Sequence, residues 1–313
     1  MNKLKVFLKI KSIYNKFFLG VSLPKISELD ETTAIDFAHM HINPEPQRYY
    51  YKDIHSYYSP EYVIGHFGII NNQHIRYGYI TDEIKNAEKK INSIVTDTPL
   101  VLYRGVANQT LEEMYVNAKL YKDTDLYEVG FVHTSLVEGH EINHVNHLRI
   151  FVPQYSTCVY LGDVNYEQQF YEVVLQHGAR FKLISVNNKF INLLYLPNYT
   201  FKVNDLSVKL YDNTSSKQIG KIDCGLEGDH YCINKYIVDP DYRNRGFGKA
   251  LISIVIKKVI RTEKRILFIN PVSDIWNDDD SPLDYRDIIR ILQKLGIRFC
   301  DESIDVSRMK LVL

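Results

Sequence analysis

IVDPDYRNRGFGKALISIVIKKV, residues Ile237–Val259, decides the reading of the C-terminal part of the chain. Hydrophobic residues lead to a strand end at Val238, Pro240 marks a turn, and a helix is expected to begin around Gly246 to Leu251. Between them, Arg243-Asn244-Arg245-Gly246-Phe247-Gly248 places two glycines just before the helical spacing starts. Glycines let a backbone approach a ligand closely, and the first amides of a helix have no partner within it. Strand, glycine turn and helix in this order therefore suit capture of a phosphate-type anion.

Working outward, SVKLYDN, KQIGKID and YCINKYIV read as strands before this stretch, and RILFINPV as a strand after it, followed by a helix in DIIRILQKLG. Residues up to about 95 read as mostly helical. In TDEIKNAEKKINSIV, Thr81 is placed to N-cap a regular apolar spacing that starts near Glu83 and Ile84. From Leu100 the texture turns to strand-like runs: VLYRGV, EVGFVHTSL, LRIFVPQ, CVYLGD, EVVLQHG and RFKLISV. Punctuation near Pro197 to Phe201 sets a domain boundary, giving domains at 1–198 and 199–313. No internal repeat or low-complexity block interrupts either.

Composition narrows the class. The chain has 313 residues, with 38 Lys and Arg against 38 Asp and Glu, so no global field points to nucleic acid or acidic lipid. Cys158, Cys224, Cys232 and Cys300 show no CxxC pairing and read as buried thiols of a reducing compartment. In MNKLKVFLKIKSIYNKFFLG, Lys9, Lys11 and Lys16 break any secretory apolar run, leaving an amphipathic first helix, with a basic membrane-surface anchor as the alternative. No stretch is apolar for long enough to span a bilayer.

The Ile237–Val259 stretch resembles the acyl-CoA-binding motif of the GCN5-related N-acetyltransferases (GNAT), Arg/Gln-x-x-Gly-x-Gly/Ala. The resemblance implies a compact α/β domain that binds acetyl-CoA through Ile237, Val238, Arg243, Arg245, Gly246, Phe247, Gly248, Lys249 and, on the next strand, Asn270. Glu227, Asp229 and Tyr285 are candidates for removing a proton from an acceptor amine, by position only. Most of the helical segment that usually forms the acceptor side in that family, between its first and second strands, is missing or is contributed by the other domain.

Four fragments of the first domain resemble, in order, the Arg-Ser-Glu class of mono-ADP-ribosyltransferases. They are INNQHIR (Ile70–Arg76), LYRG (Leu102–Gly105), GFVHTS (Gly130–Ser135) and the strand-turn-strand run that begins at Phe170, FYEVVLQHGARFKLISV. The resemblance implies an α+β fold of N-terminal helices plus two packed β-sheets, and NAD as the ADP-ribose donor. By that likeness Glu172 is the carboxylate that stabilises developing positive charge, Arg104 with Gly105 and His133 holds NAD, and Thr134 and Ser135 support the pocket. Two positions depart from the family. His133 stands where a serine usually orients the glutamate, and an imidazole can also bond a carboxylate. Phe170 stands on the acceptor side where members carry Glu or Gln, so arginine modification is not supported. Gln169, Gln168 or Glu167 can orient an acceptor instead, the acceptor can bring its own nucleophile, or water can serve.

HEINHVNH, His140–His147, matches the zinc-protease spacing, with His140, His144 and His147 on one face if it is helical. It falls in a variable connection of the transferase family, with no extended metal-binding pattern, and reads as a polar helix with no metal. Asp278–Asp280 read as a solvated loop. Together the two resemblances imply a bifunctional effector of the bacterial or phage kind, acting in the cytoplasm with no secretion signal. Its partner is a macromolecular acceptor, a protein before a nucleic acid. Two alternatives remain: a transferase with a GNAT-like binding module, or an N-acetyltransferase with a degenerate first domain.

Overall fold

Apolar residues at helical spacing through the first 92 residues fold into α1 (Lys3–Leu19), α2 (Ala34–His41), α3 (Pro60–His66), α4 (Gly68–Arg76) and α5 (Asp82–Asn92). Thr81 caps α5 as its position implies: its hydroxyl accepts from the Ile84 amide at 3.3 Å. The strands and one further helix follow as β1 (Leu100–Val106), α6 (Asn108–Ala118), β2 (Leu126–Glu128), β3 (Val132–Ser135), β4 (Asn146–Val152), β5 (Cys158–Tyr160), β6 (Glu172–Leu175), β7 (Ala179–Val186) and β8 (Ile191–Leu196). The computed structural model describes residues 3–43, 60–162, 164, 168–228, 230–260, 266–269 and 309–312. By its internal contacts the chain divides into two compact units, Met1–Asn198 and Tyr199–Leu313.

In the first unit the strands hydrogen-bond in the order β2-β7-β8-β4-β1-β3-β6-β5. The two halves of this array meet at one register pair, Tyr103↔Ser135, between β1 and β3. That seam is thin compared with the β1–β4 ladder, which runs from Leu100↔Val152 to Val106↔Asn146. One buried cluster serves both halves, joining Leu102, Leu148 and Leu193 to Val132, Val159 and Val174. Burying side chains of this size contributes about 1.5–3 kcal/mol each, so the unit needs no disulfide.

In the second unit, β9 (Tyr199–Asn204), β10 (Ser207–Asp212), β11 (Lys217–Glu227), β12 (His230–Val238), α7 (Phe247–Ile260), β13 (Ile266–Ile269) and β14 (Met309–Val312) follow one another. The sheet order is β14-β13-β12-β11-β10-β9. β12, α7 and β13 form a parallel crossover, with Cys232 opposite Phe268, and α7 packs on β10, β11 and β12. Asn204 pairs with Ser207, so only Asp205 and Leu206 connect β9 to β10 and no helix intervenes between the first two strands.

Several expectations are corrected. HEINHVNH is not a helix: residues 140–145 form an irregular loop, and Asn146 and His147 already belong to β4. Gly139, at φ +87°, turns the chain out of helical space just before it. EVGFVHTSL breaks at Gly130 into β2 and β3. Residues 108–118, assigned no element from sequence, form α6. A strand, β9, precedes the first one expected in the second unit. Of the thiols, Cys158 and Cys232 are buried and Cys224 is half-buried. Among the described residues no helix is long and apolar enough to cross a membrane. Glu167, Asp229, Asn270, Asp278–Asp280, Tyr285, Cys300 and the helix expected in DIIRILQKLG lie outside the described residues.

Candidate active site

The antiparallel pairing of β3 with β6 sets Ser135 opposite Glu172 and His133 opposite Val174. Opposed residues share a face, so His133 and Glu172 are diagonal neighbours within side-chain reach. The His133 Nδ1 lies 2.7 Å from Glu172 Oε1. An ionised carboxylate only accepts, so the ring donates to it through Nδ1. The other ring nitrogen, Nε2, is buried and has no hydrogen-bond partner among the described residues, and it is shielded by the start of α4: a β-carbon at Gly68 would sit 2.8 Å from it.

The cationic side of the site is braced by a residue the sequence reading did not assign. Glu128, only 2 % exposed, accepts from Arg104 Nη2 at 2.8 Å, from Arg76 Nη2 at 3.0 Å and from the Gly130 amide at 3.1 Å. One buried carboxylate thus fixes two guanidiniums from different elements. Arg104 keeps one nitrogen unspent: its Nη1 is buried and has no hydrogen-bond partner among the described residues. A buried donor in that state is costly unless a ligand satisfies it. Asn72 stabilises the same wall by clamping the Phe131 backbone, receiving its amide at 2.7 Å and donating to its carbonyl at 3.1 Å.

These groups surround a cleft of about 530 Å³, the size of a small-molecule site. Arg104, Gly105, His133, Thr134, Ser135, Phe170 and Glu172 all line it, and Gln169 does not. Thr134 donates to the Val173 carbonyl and Ser135 to the Val137 carbonyl at 2.8 Å, so both hydroxyls fix backbone. Among the described residues, His133 is the side chain that hydrogen-bonds Glu172. Phe170 sits in a short 3₁₀ turn, Gln168–Phe170, pinned through His140, whose ring nitrogens lie 2.7 Å from the Gln169 carbonyl and 2.8 Å from Glu31 Oε1. Glu141 in turn pairs with His147 at 3.0 Å. His140 and His147 therefore brace a wall of the cleft, and their loop lies so close to β1 that a β-carbon at Gly105 would fall 1.9 Å from the Ile142 carbonyl oxygen.

In the second unit the 237–249 residues gather at the β12–α7 junction. Gly246, at φ +92°, makes the turn into α7 that a residue with a side chain would resist. Gly248 lets the first helical turn close on β12: a β-carbon there would lie 2.2 Å from Tyr236 Oη. Arg243 Nε donates to the Val238 carbonyl at 3.0 Å, and Arg245 lies over the Tyr242 ring at 5.2 Å. Phe247 is fully buried against Tyr199, so only its backbone is available to a ligand.

Residues 69–194 match the family model for the ADP-ribosyltransferase exoenzymes, and residues 195–274 match that of the GNAT acetyltransferases. Among solved structures, C3stau2 from S. aureus with NAD is 16% identical, covering 56% of this chain and 100% of that one at a TM-score of 0.42. The Clostridium limosum C3 exoenzyme is 18% identical, covering 55% and 98% at 0.41. The ribosomal-protein-S18-alanine N-acetyltransferase from Escherichia coli is 17% identical, covering 37% and 66% at 0.24. No curated protein matches by sequence. The chain is thus similar to an ADP-ribosyltransferase exoenzyme domain over residues 69–194 and to a GNAT acetyltransferase domain over residues 195–274.

Proposed function

We propose that the first unit transfers ADP-ribose from NAD to a macromolecular acceptor, a protein before a nucleic acid. The observation that carries this reading is one cleft holding both a carboxylate fixed by an imidazole, Glu172 with His133, and a guanidinium with an unspent buried donor, Arg104. The fit to the donor rests on that nitrogen: a pyrophosphate oxygen is the kind of group that would satisfy it. NAD is consumed as a substrate, supplying an ADP-ribosyl group bonded to nicotinamide as leaving group. Arg104, with Glu128 behind it, holds the phosphates. Glu172 faces the ribose and stabilises the positive charge that grows as the nicotinamide bond breaks. His133 keeps that carboxylate in place. Phe170 lines the acceptor side without a proton-accepting atom, which favours acceptors that bring their own nucleophile over arginine.

The second unit is read as a coenzyme A site, the turn before α7 taking the pyrophosphate and acetyl transfer to an amine following. One observation favours the narrower reading that it binds acetyl-CoA without transferring. With β9 and β10 joined by two residues, no helix between them is available to cover an acceptor. NAD and acetyl-CoA are both cytoplasmic metabolites, so a bacterial or phage effector of this kind would find both there.

Incubation of a cell lysate with NAD labelled on the adenylate half, beside the Glu172→Ala variant, tests the first reading. Label on a discrete product made by the native protein alone supports it. NAD consumed without transfer points to hydrolysis, and NAD neither bound nor consumed removes the reading. Acetyl-CoA should separately raise the melting temperature.

A further inference from the structure

We infer that α1 is a rigidly docked helix that binds the surface of an anionic lipid bilayer. The helix is held by one narrow side, where Leu8 joins the apolar core, Leu4 packs against it, and polar residues anchor the C-terminal half. Leu8, Ser12 and Asn15 are its buried residues, and α1 packs on β7. Asn15 Nδ2 donates to Asp125 Oδ2 at 2.7 Å and to the Leu183 carbonyl at 2.8 Å, both bonds buried. A helix fixed in this way keeps the same face outward.

That outward face is the apolar one. Val6, Ile10, Ile13 and Phe17 follow one another at three- and four-residue steps, with Phe7, Tyr14 and Phe18 beside them. Phe17 and Phe18 are 74% and 75% exposed, and Ile10 is 62% exposed. A soluble surface does not normally carry a contiguous stripe of this kind. Phe7 meets Tyr115 edge-on at 5.2 Å, which carries the stripe onto α6 and the chain beyond it, where Val116 and Leu120 are 55% and 80% exposed.

Charge selects the occupant. The helix KLKVFLKIKSIYNKFFL contains no Asp or Glu, and at 100° per residue Lys5, Lys9 and Lys16 fall along one edge of the apolar stripe. Lys11, on the other edge, is partly engaged by Asp125 at 3.7 Å. Aromatic and aliphatic side chains bounded by lysines match a bilayer interface: rings and alkyl groups enter the headgroup boundary and ammonium groups meet lipid phosphates. The inference does not depend on which activity the cleft carries.

The test is co-sedimentation of the full chain with vesicles of phosphatidylcholine alone and with phosphatidylserine added. Two variants accompany it, Phe17→Ser/Phe18→Ser and Lys5→Glu/Lys9→Glu/Lys16→Glu, their folding checked by thermal melting. Binding to the serine-containing vesicles is expected, weakened by salt, and reduced in the lysine variant on the order of a hundredfold. No vesicle binding, or binding that both folded variants retain, overturns the inference. A dimer that the Phe17→Ser/Phe18→Ser variant dissociates, with no vesicle binding, would overturn it too, by assigning the stripe to a second copy of the chain. If the serine variant fails to fold, the lysine variant, altered only at edge positions, still decides.

Discussion

The anion sites proposed for the two units are built in opposite ways. In the first, the positive groups are side chains drawn from α4 and β1 and held by Glu128 on β2, residues separated by 52 and 24 positions from their carboxylate. In the second, the proposed donors are backbone amides of one continuous turn, beside which Gly248 packs closely on Tyr236. A side-chain site is pre-organised by a third residue and is vulnerable at that residue. A backbone site is organised by chain geometry and is vulnerable to added volume. Substitutions that exploit this difference should separate the units.

The largest effect is expected at the reacting centre. Glu172→Ala should lower ADP-ribose transfer by at least about 10²–10³-fold, the scale for removing a main electrostatic contact, while NAD binding through Arg104 persists. Rates and NAD affinity measured together check this. A parallel loss of both would mean that Glu172 serves binding, and the contrast between holding and reacting groups would fail.

Next comes the brace. Glu128→Ala leaves Arg104, whose side chain is 13% exposed, without its counter-charge, and Arg76 with it. Removing one partner of a buried pair costs about 3–5 kcal/mol; Arg76 is exposed enough to recover water, which favours the lower end. Hydrogen exchange should then rise across β1 and β2, and NAD affinity should fall, with α7 and acetyl-CoA binding unchanged. Equal loosening of both units would break the comparison.

Gly248→Ala should do the reverse. Its methyl group would collide with the hydroxyl of buried Tyr236, and overpacking of this kind costs about 1–3 kcal/mol, less a fraction returned by alanine's better helix propensity. Adding Tyr236→Phe removes the colliding oxygen and should restore part of the loss. Hydrogen exchange in α7 and acetyl-CoA affinity measure both changes, and NAD binding is the control.

The same contrast governs what could be read in the sequence. The β12–α7 turn is contiguous, so strand, glycines and helix spacing declare it together. The cleft is assembled from separated segments. Arg104, His133 and Glu172 were legible because they sit in recognisable strand fragments, and the imidazole–carboxylate contact that their chemistry permits is present at 2.7 Å. Glu128 carried no signal, since a lone acid before a glycine does not announce that two arginines will converge on it. The helical reading of HEINHVNH failed because spacing alone ignores Gly139 and the bonds His140 and Glu141 make outside any helix. α6 was missed for a related reason: Ala107 precedes it and offers no side-chain cap.

The smallest predicted effect concerns the edge of the second site. Tyr242, against which Arg245 lies, donates its hydroxyl to Asp212 Oδ2 at 2.7 Å. Burial pushes the Asp212 carboxyl up, but hydrogen bonds from Tyr242 and from the Thr214 and Ser215 amides outweigh it and hold it below the usual carboxylate range. A depressed carboxyl stabilises the fold above its unfolded pKa, and that contribution disappears as pH falls through the lower folded value. Because Asp212 is only partly buried, screening by solvent limits the contribution to about 0.5 kcal/mol. Tyr242→Phe should therefore lower the stability of the second unit slightly at neutral pH and flatten its decline between about pH 5 and pH 2. Hydrogen exchange of β10 across that range measures both. A variant as acid-sensitive as the native protein would mean that the backbone amides alone hold Asp212, and that this edge, like the turn beside it, is organised by main chain.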